Sequence, residues 1–237
     1  MPADSRYVAY FDMLGMSELT VRDPELAWRA LSELSNAQQE ILQLEIKLQA
    51  TAERIQDRVR AFTFSDSIVM FSLSDGLPDT WAIVVMACEL FARALRYCIP
   101  IRGAISHGRF LFNLDRNLFT GPPLVAAYQL AEEAQWLGIR VDEAVASRAQ
   151  GIPINSPRGR PVIIKWEVPV KFGGTAMSHV VDWVETHRQN FKVTTPIGVD
   201  AFYQAFVQLF GPLEALPANV RLKYENTVEF VNERLQA

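Results

Sequence analysis

The feature that most limits how this chain can fold is an apolar run that ends in a charge: Tyr7-Val8-Ala9-Tyr10-Phe11, then Asp12, then Met13-Leu14-Gly15. A short, continuous apolar stretch bounded by a turn signal fits a strand buried on both faces. A carboxylate at the mouth of such a strand is costly unless water or a cation meets it. The pattern recurs at Val59-Arg60-Ala61-Phe62-Thr63-Phe64-Ser65, followed by Asp66 and then Ser67-Ile68-Val69-Met70-Phe71. Two buried strands that each deliver an aspartate at the mouth point to one divalent cation held between Asp12 and Asp66. The competing reading is local, since Asp also suits a helix cap and a hairpin turn.

The 237 residues are 49% apolar and only 21% charged, which allows a sizeable core and argues against disorder. A net charge of −4 argues against a general nucleic-acid binder. Cys88 and Cys98 sit in apolar surroundings without C-x-x-C spacing, as inert thiols of a reduced compartment do. There is no basic segment ahead of a long apolar run at the N-terminus, and the stretch Trp81 to Cys88 is too short to span a bilayer. These observations imply a soluble cytoplasmic protein with no membrane and no nucleic-acid partner. His107, His179 and His187 lack metal-ligand spacing and read as surface or structural side chains.

Along the chain, Ser17 to Val21 reads as a helical turn. Asp23-Pro24-Glu25 opens a long helix, with Asp as cap and Pro at the first position, carrying Leu31, Leu34, Ala37, Ile41, Leu44 and Leu48 through about Glu53. That stripe reads as core contact, with a seam against a second subunit as the alternative. Two strands closed by Ser65-Asp66-Ser67 form a tight hairpin. Asp79 or Thr80 then caps a helix that is apolar nearly all round and stops at Pro100. Ile101 to Phe112 reads as a strand, a glycine bend and a return strand. A helix over Leu124 to about Leu137 follows, with Val141 to Ala149 continuing it after a break. Val162 to Trp166, Val168 to Phe172 and Ser178 to Val184 read as strands, with Asp182 as edge decoration. Asp200 to Phe210 and Ala218 to Leu235 read as amphipathic helices. The first 112 residues thus follow the strand–helix–hairpin–helix–strand order of a ferredoxin-like βαββαβ unit, an α+β fold that lays the first strand beside the hairpin and lets Asp12 and Asp66 meet. The expectation is a single domain over 1–237, with a core of about 5–150 and a helical C-terminal extension of about 151–237.

Four segments in order resemble class III nucleotidyl cyclases. Phe11-Asp12-Met13-Leu14-Gly15 is similar to their Phe-x-Asp-Ile-x-Gly-Phe segment, and Phe64-Ser65-Asp66-Ser67 to their second metal-aspartate hairpin. Ile101-Arg102-Gly103-Ala104-Ile105-Ser106-His107-Gly108 looks like their Leu-Arg-Val-Gly-Ile-His-x-Gly strand, and Gly121 to Glu132 like the helix after it. Within that superfamily the pattern is closest to the pyrimidine cyclases of the Pycsar anti-phage system. The resemblance implies a cyclase catalytic core that converts UTP, or CTP, to the cyclic monophosphate as an infection signal read by a separate effector. It implies Mn²⁺ or Mg²⁺ held by Asp12, Asp66 and the Met13 carbonyl, and a homodimer with shared active sites. Backbone N–H groups from Leu14 to Ser17, through Gly15 and Met16, lie at a turn into a helix that suits β- and γ-phosphates. Phe11 packs on the nucleotide in this reading, and Arg60 and Arg102 are the strand-borne cations available to phosphate or base. Solvent for Arg60 and a structural ion pair for Arg102 are the alternatives, and Tyr128 reads as core or as a nucleotide contact.

One departure matters. Purine cyclases carry Asn and Arg four apart on the helix after Gly121, and Ala126 and Leu130 stand at those places here. Arg102, Arg116 or Arg140, from the same or a partner subunit, would have to substitute. Otherwise the domain is a catalytically silent binding module. A purine cyclase is a further alternative; a diguanylate cyclase is disfavoured, because Ser65-Asp66-Ser67 lacks a Gly-Gly turn.

Overall fold

The computed structural model describes residues 4–44, 54–151, 154–191 and 194–237. In chain order the elements are β1 (Ser5–Met13), α1 (Met16–Arg22), α2 (Pro24–Gln43), β2 (Val59–Phe64), β3 (Ser67–Ser72), α3 (Leu77–Arg96) and β4 (Ile101–Arg109). Then come β5 (Leu111–Asn113), β6 (Leu118–Thr120), α4 (Pro122–Glu133), β7 (Ile139–Val141) and α5 (Glu143–Ala149). The chain finishes with β8 (Ile163–Pro169), β9 (Thr175–Val181), α6 (Trp183–Phe191), α7 (Val199–Tyr203), α8 (Val207–Phe210) and α9 (Ala218–Gln236). The main sheet runs β2-β3-β1-β4-β7-β9-β8. Its β2-β3-β1-β4 half is antiparallel throughout, as a βαββαβ unit requires, and β7 joins β4 in parallel.

Alternation along β1 sorts the sheet into two unlike faces. Tyr7, Ala9, Phe11 and Met13 enter a large core with Ile68, Met70, Ile101 and Ile105, roofed by α2, α3 and α9. Val8 and Tyr10 point the other way, onto a smaller aromatic cluster with Val69, Phe71 and Phe110. On this second face α4 lies close because Ala104, Ala127 and Ala131 are all small, and the short β5–β6 ribbon brings Phe112 and Phe119.

Several expectations need correction. The α2 cap is as expected, with Asp23 accepting from the Leu26 N–H at 2.9 Å and Pro24 in the first turn. Its apolar face is core, with Leu34, Ala37 and Ile41 buried, and its expected run from 45 to 53 lies outside the described residues. α3 begins at Leu77 rather than after Asp79; Asp79 reaches back to the Gly76 N–H at 3.1 Å. β4 does not bend at its glycines. It runs straight to Arg109, and the return strand pairs instead with β6. α4 stops at Glu133, short of the expected Leu137, while the helix expected over Val141 to Ala149 is present as α5, with β7 in the break before it. Trp183 and Val184 open α6 rather than ending a strand, and the segment after Asp200 breaks into α7 and α8. Asp182 is no edge decoration. It is fully buried, caps α6 through the Glu185 N–H at 3.0 Å and pairs with Arg234 of α9 at 2.8 Å.

Candidate functional site

Where β1 ends, three constraints shape the turn. The Met13 N–H donates to the Asp66 carbonyl at 3.0 Å, stitching the tip of the β2–β3 hairpin to β1. The Leu14 N–H donates to the Pro100 carbonyl at 2.9 Å. Gly15 then takes φ 77 at the start of α1, and a Cβ there would stand 2.8 Å from the Phe210 ring, so only glycine fits. The hairpin itself turns on two residues, Ser65 in the left-handed region at φ 52 and Asp66.

The ladder supplies the rest. Asp12 faces Ser67 across β3 and Arg102 across β4, so its carboxylate lies on the second face of the sheet, between a hydroxyl and a guanidinium. Arg102 Nη2 stands 3.3 Å from Asp12 Oδ2 and also pairs with Glu132 of α4, while its Nη1 donates to the Glu132 and Ala134 carbonyls. Lys171 completes the chain of charges at 2.5 Å from Glu132 Oε2. The Tyr10 and Ser67 hydroxyls are hydrogen-bonded at 2.9 Å, and Tyr10 meets Tyr128 edge-on with ring centres 5.4 Å apart.

These groups line one cleft of about 420 Å³ that holds Asp12, Asp66 and Arg102 together with the backbone turn from Met13 to Glu18, Tyr128, Glu132 and Lys223. Burial pushes the Asp12 carboxyl above its ordinary value; Arg102 draws it back and the Asp66 carboxylate pushes it up again. Lys223 is pulled down to about 8, first by burial and then by Arg102 and Lys171. Among the described residues no cluster of three or more His, Cys, Asp or Glu side chains forms a metal cage. The donor set here is two carboxylates in a polar cleft, which suits Mg²⁺ or Mn²⁺: such ions take one or two carboxylates and leave the other positions to water and substrate phosphates.

Not every expected residue arrives. Phe11 is 1% exposed and packs in the core on the opposite face, where a Cβ at Gly103 would stand 2.4 Å from its ring; it does not touch the cleft. Arg60 lies four residues, roughly 13 Å of strand, from the Asp66 end of β2 and donates to the Val59 and Asp57 carbonyls at 3.1 and 3.4 Å. Leu14 lines the cleft, yet its N–H is already taken by Pro100 and is not free for phosphate. Of the substitute arginines, Arg116 is exposed on the β5–β6 ribbon and Arg140 is spent on Leu130, Glu133 and Ser178, so only Arg102 faces the cleft. Sequence reasoning missed Glu132, Lys171 and Lys223. Glu132 was within reach, because it lies one helical turn from Tyr128 and therefore on the same face of α4. Nothing local marks Lys223.

No protein-family model matches this chain, and no curated protein matches it. Solved structures do. The chain is similar to the catalytic core of a rhodopsin-guanylyl cyclase with converted specificity, in complex with ATPαS, at a TM-score of 0.53 and 13% identity over 76% of this chain and 95% of that one. A bacterial light-regulated adenylyl cyclase aligns at a TM-score of 0.49 and 10% identity, covering 86% of this chain and 57% of that one. At such identities the likeness is one of fold: the chain has the α+β sheet of a class III cyclase core with a C-terminal helix added. Among the described residues no helix is long and apolar enough to cross a membrane.

Proposed function

We propose that this chain is a metal-dependent nucleotide cyclase that converts UTP, in preference to CTP, to the 3′,5′-cyclic monophosphate and pyrophosphate. The observation that carries this reading is the meeting of Asp12, Asp66 and Arg102 in one cleft of a cyclase-type sheet. In the reaction the ribose 3′-oxygen forms a bond to the α-phosphorus while the bond to pyrophosphate breaks and the hydroxyl proton is released. Mg²⁺ or Mn²⁺ held by Asp12 and Asp66, with the Met13 carbonyl as a further donor, would supply acidification of that hydroxyl and charge neutralisation on the phosphate oxygens. Arg102 is held at the base of the cleft by Asp12 and Glu132, and its forked donors suit phosphate oxygens once a triphosphate competes for them. Gly15, Met16 and Ser17 line the cleft beside it, and Tyr10 with Tyr128 offers an aromatic wall to ribose or base.

The pyrimidine preference and the role in anti-phage signalling, through an effector that reads the cyclic product, rest on the resemblance of the four segments. Uracil and cytosine differ where O4 accepts and N4 donates, so a pocket built for one penalises the other. A homodimer is supported by the second sheet face, where Phe64, Leu118, Val125 and Tyr128 are all about half exposed or more. A second subunit would also bring an arginine such as Arg116 toward the place that Ala126 and Leu130 leave without a donor. Incubating the protein with each of the four nucleoside triphosphates and Mn²⁺ tests the whole reading. The expected product is a cyclic pyrimidine monophosphate, and Asp66→Ala lowers its formation by more than about a hundredfold, the upper end of what losing even an outer partner of a metal ligand costs. No cyclic product from any nucleotide, or equal turnover in the variant, refutes it; a cyclic purine product or a dinucleotide reassigns the substrate.

A second reading is a nucleotide-binding module without turnover, favoured by the apolar Ala126 and Leu130. Calorimetric binding of a nucleoside triphosphate with no release of pyrophosphate would select it.

A further inference from the structure

Lys223 lines the cleft but lies outside the chain of ion pairs that runs through Asp12, Arg102, Glu132 and Lys171. Arg102 is tied to Asp12 and Glu132, and Glu132 to Lys171. The Lys223 ammonium makes no hydrogen bond and no ion pair among the described residues, although it lines the same cleft, where it feels Arg102 and Lys171 as like charges and Asp12 and Glu18 as opposite ones beyond contact distance. A cation kept partly out of water without a partner is costly. Here the cost is accepted at a place that the fold holds rigidly. One turn further along α9, the Asn226 side chain donates to the Gln135 carbonyl at 2.6 Å, and Thr227 Oγ1 accepts from the Leu137 N–H at 2.8 Å. Neighbouring Tyr224 is 1% exposed and packs edge-on against Tyr203 with ring centres 4.8 Å apart. At its far end the helix is fixed by Arg234 on Asp182 and by the Trp166 indole N–H donating to Glu233 at 2.8 Å. The lysine is thus presented by a docked helix and not by a mobile arm.

We propose that Lys223 binds the polyphosphate tail of the nucleoside triphosphate, so that the C-terminal helix supplies substrate contacts in the same subunit as Asp12 and Asp66. The proposal rests on the nucleotide-binding reading of this cleft. An ammonium is a compact charge with three rotatable donors, which suits the tail's oxygens better than the directional edge of a base. Arg102 and Lys223 both line this cleft, and two cations there suit the oxygens of a polyanion better than a neutral sugar or base.

Titration calorimetry of the intact chain with Mg²⁺ present tests this, using inorganic tripolyphosphate, UTP and UMP as probes against wild type, Lys223→Met and Lys223→Arg. The expected result is a loss of about tenfold or more in tripolyphosphate and UTP affinity in Lys223→Met, the equivalent of one charge-assisted contact. UMP binding stays within about twofold, and Lys223→Arg recovers most of the loss. Undiminished tripolyphosphate binding by Lys223→Met overturns the assignment and leaves the nucleotide site in place. An equal loss for UMP and tripolyphosphate, or no recovery in Lys223→Arg, overturns it in favour of a packing role. A wild-type chain that binds neither UTP nor tripolyphosphate removes the nucleotide reading itself.

Discussion

The two faces of the central sheet are built on different terms. The face of Tyr7, Ala9, Phe11 and Met13 is sealed under helices, and its residues are nearly all without solvent contact. The opposite face, with Val8, Tyr10 and Asp12, is covered, among the described residues, by α4 and a ribbon of two three-residue strands, and its charged end opens into the cleft. The same strand serves both because side chains alternate. The difference teaches a division of labour: the larger buried core lies on one face, and the other keeps a smaller core beside an open, charged end.

The sharpest way to break that comparison is to make the same substitution on both sides. Phe91→Ala, on α3 within the sealed face and 5.1 Å from the Trp183 ring, should cost about 4 kcal/mol in urea unfolding. If it costs no more than a change on the open face, the division is wrong. The tie between α9 and the sheet comes next. Asp182→Ala leaves Arg234 without its partner and α6 without its cap, and should cost about 3 kcal/mol by the same measurement. Phe64→Ala, on the open face and 47% exposed, should cost less than about 1 kcal/mol within the subunit. On the proposed homodimer its effect should appear instead as weaker association in sedimentation, and a large loss of unfolding free energy with unchanged association would contradict the picture.

The smallest effect expected is one of pH. Burial holds the His187 imidazole below its ordinary value, so at neutral pH it is uncharged in both folded and unfolded chains. As pH falls below about 6.5 the unfolded chain takes up a proton that the folded one refuses, and stability drops until the folded value is reached. His187→Gln should flatten this part of the curve. A profile as steep in the variant as in the wild type would show that other groups set it.

How much of this was legible in the sequence follows from how far each signal reaches. β1, the hairpin and the apolar α3 announced themselves through runs long enough to show a period and through Asp23-Pro24 and Pro100 as punctuation. β6 and β7 span three residues each, too few for any period to register, and β5, read as a return strand, is equally short and pairs elsewhere. α6 was masked because the apolar residues of β9 run on through Trp183 and Val184, and only the burial of Asp182 as a cap separates strand from helix. At the site, Asp12, Asp66 and Arg102 follow from strand ends and register. Phe11 lies away from the cleft, as alternation from Tyr10 and Asp12 already implies for its side chain. Arg60 failed because a strand's composition does not say which of its ends carries the chemistry. Lys223 was out of reach for a different reason: its position depends on the docking of α9 by Asn226 and Thr227 onto a loop some ninety residues earlier.

The hairpin that carries Asp66 has a consequence for how such chains diverge. Its turn has only two residues, and the peptide carbonyl of one of them is spoken for by Met13. An insertion or deletion between Phe64 and Ser67 would swing the acid off the sheet edge or reverse the inward and outward sides of a strand. Descendants of this chain are therefore free to rewrite letters around the turn but not to change its length, and distant kin are better sought by invariant spacing than by shared residues.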